Sequence, residues 1–155
     1  MSAPTLALVI KAPRPLEVKT RLAATVGPAH AVQIYRQMVE KQIQAIPTGW
    51  RTRIHCAPVD DIDSMKDWLS PLTRADTSFH GQPNGDLGDR INSAFVHAFL
   101  EESESVIVIG GDCPALNESL LRQAALALET HDAVLGPAQD GGYYLIGLSA
   151  PQPHL

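Results

Sequence analysis

The chain has few cysteines and no long apolar stretch, and each absence excludes a class of protein. Its two cysteines, Cys56 and Cys113, lie far apart and form no CxxC pair. This usage argues against a structural zinc site and indicates a reducing, cytoplasmic location. No apolar run is long enough to cross a bilayer, and the first residues lack the order of a secretion signal. We therefore expect a cytoplasmic protein that does not bind or span a membrane.

The sequence also lacks the motifs of several common active sites. No G-x-x-x-x-G-K-[ST] and no G-x-G-x-x-G occurs, so P-loop NTPases and Rossmann dehydrogenases lose their main support. The six histidines are scattered, without metal-ligand spacing and without a Ser-His-Asp arrangement. We interpret Cys113 as a packing residue rather than a nucleophile.

Basic residues are concentrated in the N-terminal third of an acidic chain. The net charge is −5, yet residues 1–53 hold eight Lys and Arg against two Asp and Glu. An acidic whole argues against nucleic-acid binding, and a basic segment within it indicates a local anionic ligand. The alternative is that these charges only solvate helix faces.

Apolar periodicity predicts alternating strands and helices in one domain of 155 residues. The predicted strands are 5–10, 51–57, 76–80, 106–109, 133–135 and 143–148. The predicted helices are 28–46, 60–69, 89–102 and 117–130, with loops over 11–28 and 81–88. This order is typical of the α/β class, with a mainly parallel sheet flanked by helices.

Asp112 and Asp140 each follow an apolar run, and one helical segment separates them. We predict that strands 106–109 and 133–135 form a βαβ unit and end at the same edge of the sheet. If the two strands are neighbours, they lie about 4.8 Å apart and their carboxylates can share one hard divalent cation. The alternatives are that Asp112 is a cap or turn residue and that Asp140 belongs to a hairpin turn.

The loop after the first strand carries four cations within eleven residues: Lys11, Arg14, Lys19 and Arg21. Fixed positive groups stabilise the charge that develops on phosphoryl oxygens, so this loop is a candidate phosphate site. A solvated surface loop that is merely basic is the alternative.

Two glycine-containing segments complete the candidate site. Gly85 allows a close backbone approach to a ligand, while Asp86 favours contact with a base or ribose as much as with phosphate. The alternative for Asp86 is a helix cap. Gly111 makes room for a ligand after a buried strand. We expect one of Tyr143 and Tyr144 to stack on a sugar or base and the other to lie in the core.

Four segments in order, 11–22, 85–90, 110–116 and 135–148, resemble the DUF2064 family of glycosyltransferase-like proteins. That family belongs to the nucleotide-diphospho-sugar transferase superfamily, with the Rossmann-like GT-A fold, and the match spans about residues 5–148. The resemblance implies a nucleotide over the carboxyl edge of the sheet, with Mg²⁺ or Mn²⁺ on its diphosphate.

Carried over by motif, the resemblance also implies roles for individual residues. The nucleotide would be bound by Lys11, Arg14, Lys19, Arg21, Gly85, Asp86 and Gly111. Asp112 would hold the metal, with Asp140 as the second ligand or an acceptor-side residue. Lys19, Asp112 and Asp140 are the residues expected to act in catalysis.

Two departures from the family bear on the function. Leu16 stands where the family commonly has Gly, and the chain stops before the C-terminal strands and helices with which family members continue. We therefore expect a single domain over 1–155 without the usual C-terminal extension. The favoured function is a metal-dependent transfer from a nucleotide-sugar or NTP to a small acceptor. The alternative is a nucleotide-binding module that is non-catalytic or is completed by a second subunit, as in a homo-oligomer.

Overall fold

A computed structural model describes residues 2–74 and 76–153, and a single six-stranded sheet organises them. The strands are β1 Thr5–Lys11, β2 Thr52–Ala57, β3 Thr77–Gly81, β4 Val106–Gly110, β5 Ala133–Pro137 and β6 Tyr143–Leu148. Their order across the sheet is β3-β2-β1-β4-β6-β5. Strands β1 to β4 are parallel, and β6 is antiparallel to both of its neighbours. The predicted α/β class with a mainly parallel sheet is confirmed.

In the described part of the chain, five α-helices connect and cover the strands. They are α1 Thr20–Val26, α2 Pro28–Ala45, α3 Ile62–Leu69, α4 Leu87–Leu100 and α5 Glu118–Ala127. The four predicted helices are confirmed within a few residues at most ends, but the prediction of a continuous loop over 11–28 was wrong because α1 lies inside it. This helix is short and packs on α2, so its pattern was too brief to separate from a polar loop.

The shared cation site also assumed that strands 106–109 and 133–135 are neighbours in the sheet. This assumption was wrong, because β6 lies between β4 and β5. A tight turn returns the chain from β5, and β6 then pairs with both strands. Leu145 and Leu148 of β6 are buried, whereas Leu135 of β5 is half exposed. The more apolar strand therefore takes the inner position, and β5 becomes the edge of the sheet.

The two faces of the sheet are covered unequally. One face packs against apolar side chains of α2, α3 and α5, including Val39, Met65 and Leu121. The other face packs against Ala94, Phe95 and Ala98 of α4. Within residues 2–74 and 76–153, no helix combines the length and hydropathy needed to cross a membrane.

Candidate functional site

Two adjoining cavities open where the parallel strands have their carboxyl ends. The sheet cavity has a volume of about 370 Å³ and is lined by β1, β4, β6 and the start of α4. The loop cavity has a volume of about 560 Å³ and is lined by the loops that follow β1, β2 and β3. Lys11, Glu17, Gln82 and Arg90 line both cavities. Ligands of open α/β sheets bind at this edge, so these cavities form the candidate site.

Lys11, the last residue of β1, is held by a buried tyrosine. The hydroxyl of Tyr35 accepts from the backbone N–H of Lys11 at 3.1 Å and donates to the carbonyl of Lys11 at 2.8 Å. Burial raises the pKa of Tyr35 to about 12, so the hydroxyl keeps its proton and remains a donor. Among the described residues, Lys11 has no ion-pair partner within 4.0 Å. Its ammonium is therefore available to an anion.

Lys19 and Asp112 come together across the mouth of the sheet cavity. The Nζ of Lys19 lies 3.7 Å from the Oδ2 of Asp112, and 67% of the Asp112 side chain is exposed. Lys19 has φ of +49°, a left-handed conformation, at the residue before α1. The chain brings this lysine from the loop after β1 to the acid that follows β4. A cation and a carboxylate are thus both presented to a ligand in this cavity.

The loop that carries Asp112 is fixed from beneath by a buried glutamine. Gln42 of α2 is 1% exposed; its Nε2 donates to the carbonyl of Gly110, and its Oε1 accepts from the N–H of Cys113 at 2.9 Å. Gly111 lies so close to the core that a Cβ there would meet Ile10 at 2.8 Å. Sequence reasoning missed Gln42, although a polar residue on the apolar face of a predicted helix was the available signal.

Arg14 and Arg21 occupy different surroundings from Lys11 and Lys19. Arg14 lines the loop cavity and forms a two-pronged pair with Asp61, with Nε–Oδ2 of 2.7 Å and Nη2–Oδ1 of 2.6 Å. This hydrogen bonding raises the pKa of Arg14 and lowers the pKa of Asp61. Arg21 is exposed on α1 and lines neither cavity. Of the four cations in the predicted phosphate loop, three therefore line a cavity.

Gly85 and Asp86 form the start of α4 rather than part of either cavity lining. The Oδ1 of Asp86 accepts from the N–H of Asp89 at 2.9 Å, and the Oδ2 of Asp89 accepts from the N–H of Asp86 at 3.0 Å. This capping box confirms the interpretation of Asp86 as a helix cap. Gly85 has φ of +134°, and a Cβ there would lie 2.4 Å from the carboxylate of Asp89. Contact of either residue with a nucleoside stays a prediction.

Asp140 lies in the turn between β5 and β6. Its Oδ1 accepts a hydrogen bond from the N–H of Gly142 at 3.0 Å. A second hydrogen bond, from the N–H of Ala138 to the carbonyl of Gly142 at 2.7 Å, closes the turn. Asp140 is exposed and lines neither cavity. Within residues 2–74 and 76–153, no three His, Cys, Asp or Glu side chains are grouped to bind a metal ion. Of the two acids predicted to hold a metal, Asp112 therefore lines a cavity and Asp140 does not.

Gln82 and Arg90 line both cavities, and sequence reasoning did not single them out. The Nε2 of Gln82 donates to the carbonyls of Ile10 at 2.7 Å and His55 at 2.8 Å, which ties the ends of β1 and β2 together. The Nε of Arg90 is buried without a hydrogen-bond partner in the described part of the chain. Both belong to the segment 81–90, where the prediction considered the glycines and acids but not the amide of Gln82 or the guanidinium of Arg90.

A family model and several solved structures match this chain. The model of a family described as "Uncharacterized protein conserved in bacteria (DUF2064)" matches residues 41–155. The resemblance predicted from four sequence motifs is therefore confirmed. No curated protein sequence gives a significant match.

Solved structures support the same superfamily. A "putative nucleotide-diphospho-sugar transferase" from Desulfovibrio desulfuricans G20 has a TM-score of 0.85 and 34% identity, with 96% of this chain and 64% of that chain covered. The present chain thus spans less than two thirds of that relative's length.

Two more distant structures extend the comparison. A 4-diphosphocytidyl-2C-methyl-D-erythritol synthase from Anaerococcus prevotii DSM 20548 has a TM-score of 0.58 and 14% identity, covering 94% of this chain and 70% of that chain. A cytidylyltransferase from Leptospira borgpetersenii serovar Hardjo-bovis has a TM-score of 0.60 and 10% identity, covering 94% and 59%. At these identities they show the fold alone, and the predicted transferase fold is confirmed.

Proposed function

The chain belongs to the DUF2064 family, and we propose that it is a metal-dependent transferase using a nucleotide-sugar or an NTP to modify a small acceptor. The observation that carries the proposal is that Lys11, Lys19, Arg90 and Asp112 all line the sheet cavity, which shares Lys11 and Arg90 with the loop cavity. A nucleotide needs both a polar site for its nucleoside and fixed cations for its phosphates. The name of the 34% identical relative supports the same class of substrate.

The division of charge between the cavities suggests how the nucleotide lies. The loop cavity has a polar lining that includes Arg14, Asp60 and Asn84, which suits a nucleoside with its ribose. Lys11 and Arg90 line both cavities and suit the phosphates that lead from one to the other. The reacting phosphate would then lie near Lys19, at the mouth of the sheet cavity.

The acid at the mouth of the sheet cavity fits the expected metal. Mg²⁺ is commonly held by one or two carboxylates together with substrate phosphates and water, so a single exposed Asp112 is a suitable protein ligand. When bound, Mg²⁺ or Mn²⁺ would neutralise diphosphate charge and position the leaving group. Asp140 lies outside both cavity linings, so the proposal depends on Asp112 and leaves Asp140 as a prediction.

The protein's own cations would act on the reacting phosphate. Lys11 is fixed through its backbone by Tyr35, and Lys19 is placed beside Asp112. Cations positioned before the reaction stabilise developing charge without having to reorganise, which is the main source of catalysis in phosphoryl chemistry. Glycosyl transfer and nucleotidyl transfer both use such a site, and an acceptor assay distinguishes them.

A thermal-shift screen of NTPs and nucleotide-sugars, with and without Mg²⁺ or Mn²⁺, tests the proposal. Binding at a hundredfold excess over Kd stabilises the folded chain by about 2.7 kcal/mol, so a real ligand raises the Tm measurably. We expect Asp112→Asn to remove the metal-dependent part of the shift. Asp67→Asn, at an exposed position on α3 outside both cavities, is the matched control and should retain it.

The screen has a clear negative result. If no nucleotide shifts the Tm, or if Asp112→Asn behaves as Asp67→Asn does, the proposed site is wrong. Release of pyrophosphate or nucleoside diphosphate in the presence of an acceptor then separates a transferase from a module that only binds nucleotide.

A further inference from the structure

The floor of the sheet cavity consists of apolar strand residues that α4 leaves partly uncovered. Val108 of β4 pairs with Ile146 of β6, and Val9 of β1 lies on the same face toward the carboxyl edge. Val9 and Ile146 are only partly buried although both belong to inner strands of the sheet. Inner strands of a covered sheet normally bury such residues completely.

Apolar side chains also form the wall and rim of this cavity. Leu87, the first residue of α4, is 66% exposed, and Ile91 one turn later is partly buried. Tyr143, at the start of β6, is 57% exposed and also lines this cavity. An apolar ligand binds favourably to such a concave surface because it removes the exposed apolar groups from water. A polyhydroxylated ligand would bind here much less favourably.

The chemical contrast with the loop cavity assigns different parts of the reaction to the two cavities. The loop cavity is lined mostly by charged and polar groups. The sheet cavity has an apolar floor, with Lys19 and Asp112 at its mouth and the shared residues Lys11, Glu17, Gln82 and Arg90 where it adjoins the loop cavity. A charged nucleotide suits the first cavity. The second suits a molecule with an apolar body and one polar end.

We propose that the sheet cavity binds the acceptor and that this acceptor is a small alcohol with an apolar, ring-sized body. The inference rests on the proposed function and deepens it by naming the substrate class. The ring would lie over Val9, Val108 and Ile146, with its hydroxyl beside Lys19 and Asp112. The cavity volume of about 370 Å³ is at the lower end for small-molecule sites, which fits one ring and excludes an extended chain of sugars.

Methyl NMR spectroscopy with benzyl alcohol, cyclohexanol and glycerol as probes tests this inference directly. Benzyl alcohol and cyclohexanol should shift the methyl resonances of Val9, Val108 and Ile146, and glycerol at the same concentration should not. The methyls of Leu126, exposed on α5 outside the cavity, should stay unchanged. Equal shifts from glycerol, or shifts at Leu126 as large as those in the cavity, would overturn the inference.

A pair of variants on one helix provides the control. Leu87→Ser removes a rim side chain from an exposed position, so the fold should survive, and benzyl alcohol should bind about three to ten times more weakly. Leu100→Ser makes the same change at a position that is 79% exposed at the other end of α4, and binding should not change. If the two variants bind benzyl alcohol equally well, the cavity assignment is wrong.

Competition with nucleotide separates this inference from the proposed function. Benzyl alcohol should bind equally well with and without a nucleotide identified in the thermal-shift screen, and displacement by that nucleotide would overturn the acceptor assignment. If no nucleotide binds but the methyl shifts persist, the proposed function fails while the apolar cavity stands.

Discussion

Three histidines meet where α4 packs on β2 and β3, and none of them lines either cavity. Their arrangement predicts that the stability depends on pH. His55 of β2 pairs in register with His80 of β3, and His97 of α4 lies over both. The ring centroids are 5.4 Å apart for His55 and His80, 5.7 Å for His55 and His97, and 4.2 Å for His80 and His97. The sequence positions are scattered, so only the fold brings these rings together.

His55 is the most strongly perturbed of the three. It is 3% exposed, and its Nε2 has no hydrogen-bond partner in the described part of the chain. Burial, with smaller contributions from His80 and His97, lowers the pKa of His55 to about 4. The nearby Glu101 opposes this effect, but its carboxylate is already paired with Arg53 at 2.7 Å. The folded protein therefore keeps His55 neutral.

The sign and size of the effect follow from linkage. Because the folded pKa lies below the ordinary value of 6.5, the unfolded chain binds a proton more readily between the two values. The stability is fully present above about pH 6.5 and is lost as the pH falls toward 4. The difference between 6.5 and about 4, at roughly 1.4 kcal/mol per pH unit, gives a total loss of about 3 kcal/mol, most of which is lost by pH 5.

Urea unfolding at pH 7 and pH 5 measures this loss. Carboxylates also titrate toward acid pH, so the informative comparison is between variants. His55→Phe keeps a ring of similar shape without the titration, and we expect its free energy of unfolding to fall by about 2 kcal/mol less than that of the wild type. His30→Gln, at an exposed position on α2, should behave as the wild type does. An unchanged pH dependence in His55→Phe would refute the reasoning.

Three further predictions concern the positions that shape the site. Gln42→Leu keeps the volume but leaves the carbonyl of Gly110 and the N–H of Cys113 unpaired, so urea unfolding should show a loss of about 1–3 kcal/mol; a loss under 0.5 kcal/mol would contradict the role of this side chain. Gly111→Ala forces a methyl group against the core and should lower the free energy of unfolding by about 1–3 kcal/mol, whereas an unchanged midpoint would show that the loop can move away. Asp86→Ala removes the cap of α4 and should destabilise by about 0.5–2 kcal/mol, while Asp86→Asn should retain most of the stability; equal losses in both variants would argue against capping.

Much of the candidate site could be predicted because it depends on chain order. Once alternating strands and helices are read from apolar periodicity, the loops after parallel strands must meet at one edge of the sheet. That reasoning accounts for the proximity of Lys19 and Asp112, which come from the loops after the first and fourth strands and lie 3.7 Å apart. It also identified the cationic loop that begins at Lys11. These features are local to each motif, and a parallel sheet brings them together whatever the details of packing.

The partners of individual side chains depended on contacts that no local pattern encodes. Arg14 pairs with Asp61, which is 47 residues distant, and Gln42 supports a loop about 70 residues further along the chain. Both arrangements result from how helices settle on the sheet. A local pattern indicates which face of an element is apolar, but it does not specify which polar group on another element lies within hydrogen-bonding distance.

Taken by itself, the sequence determined the α/β class, the strands and all the helices except α1, and the edge of the sheet at which the charged motifs meet, because these follow from side-chain periodicity and chain direction. Tertiary structure alone decided that β6 lies between β4 and β5, which carries Asp140 away from the cavities, and that three scattered histidines share one buried cluster. The physical reason is that strand order and buried neighbours are chosen by the total apolar area covered, which is a property of the whole chain.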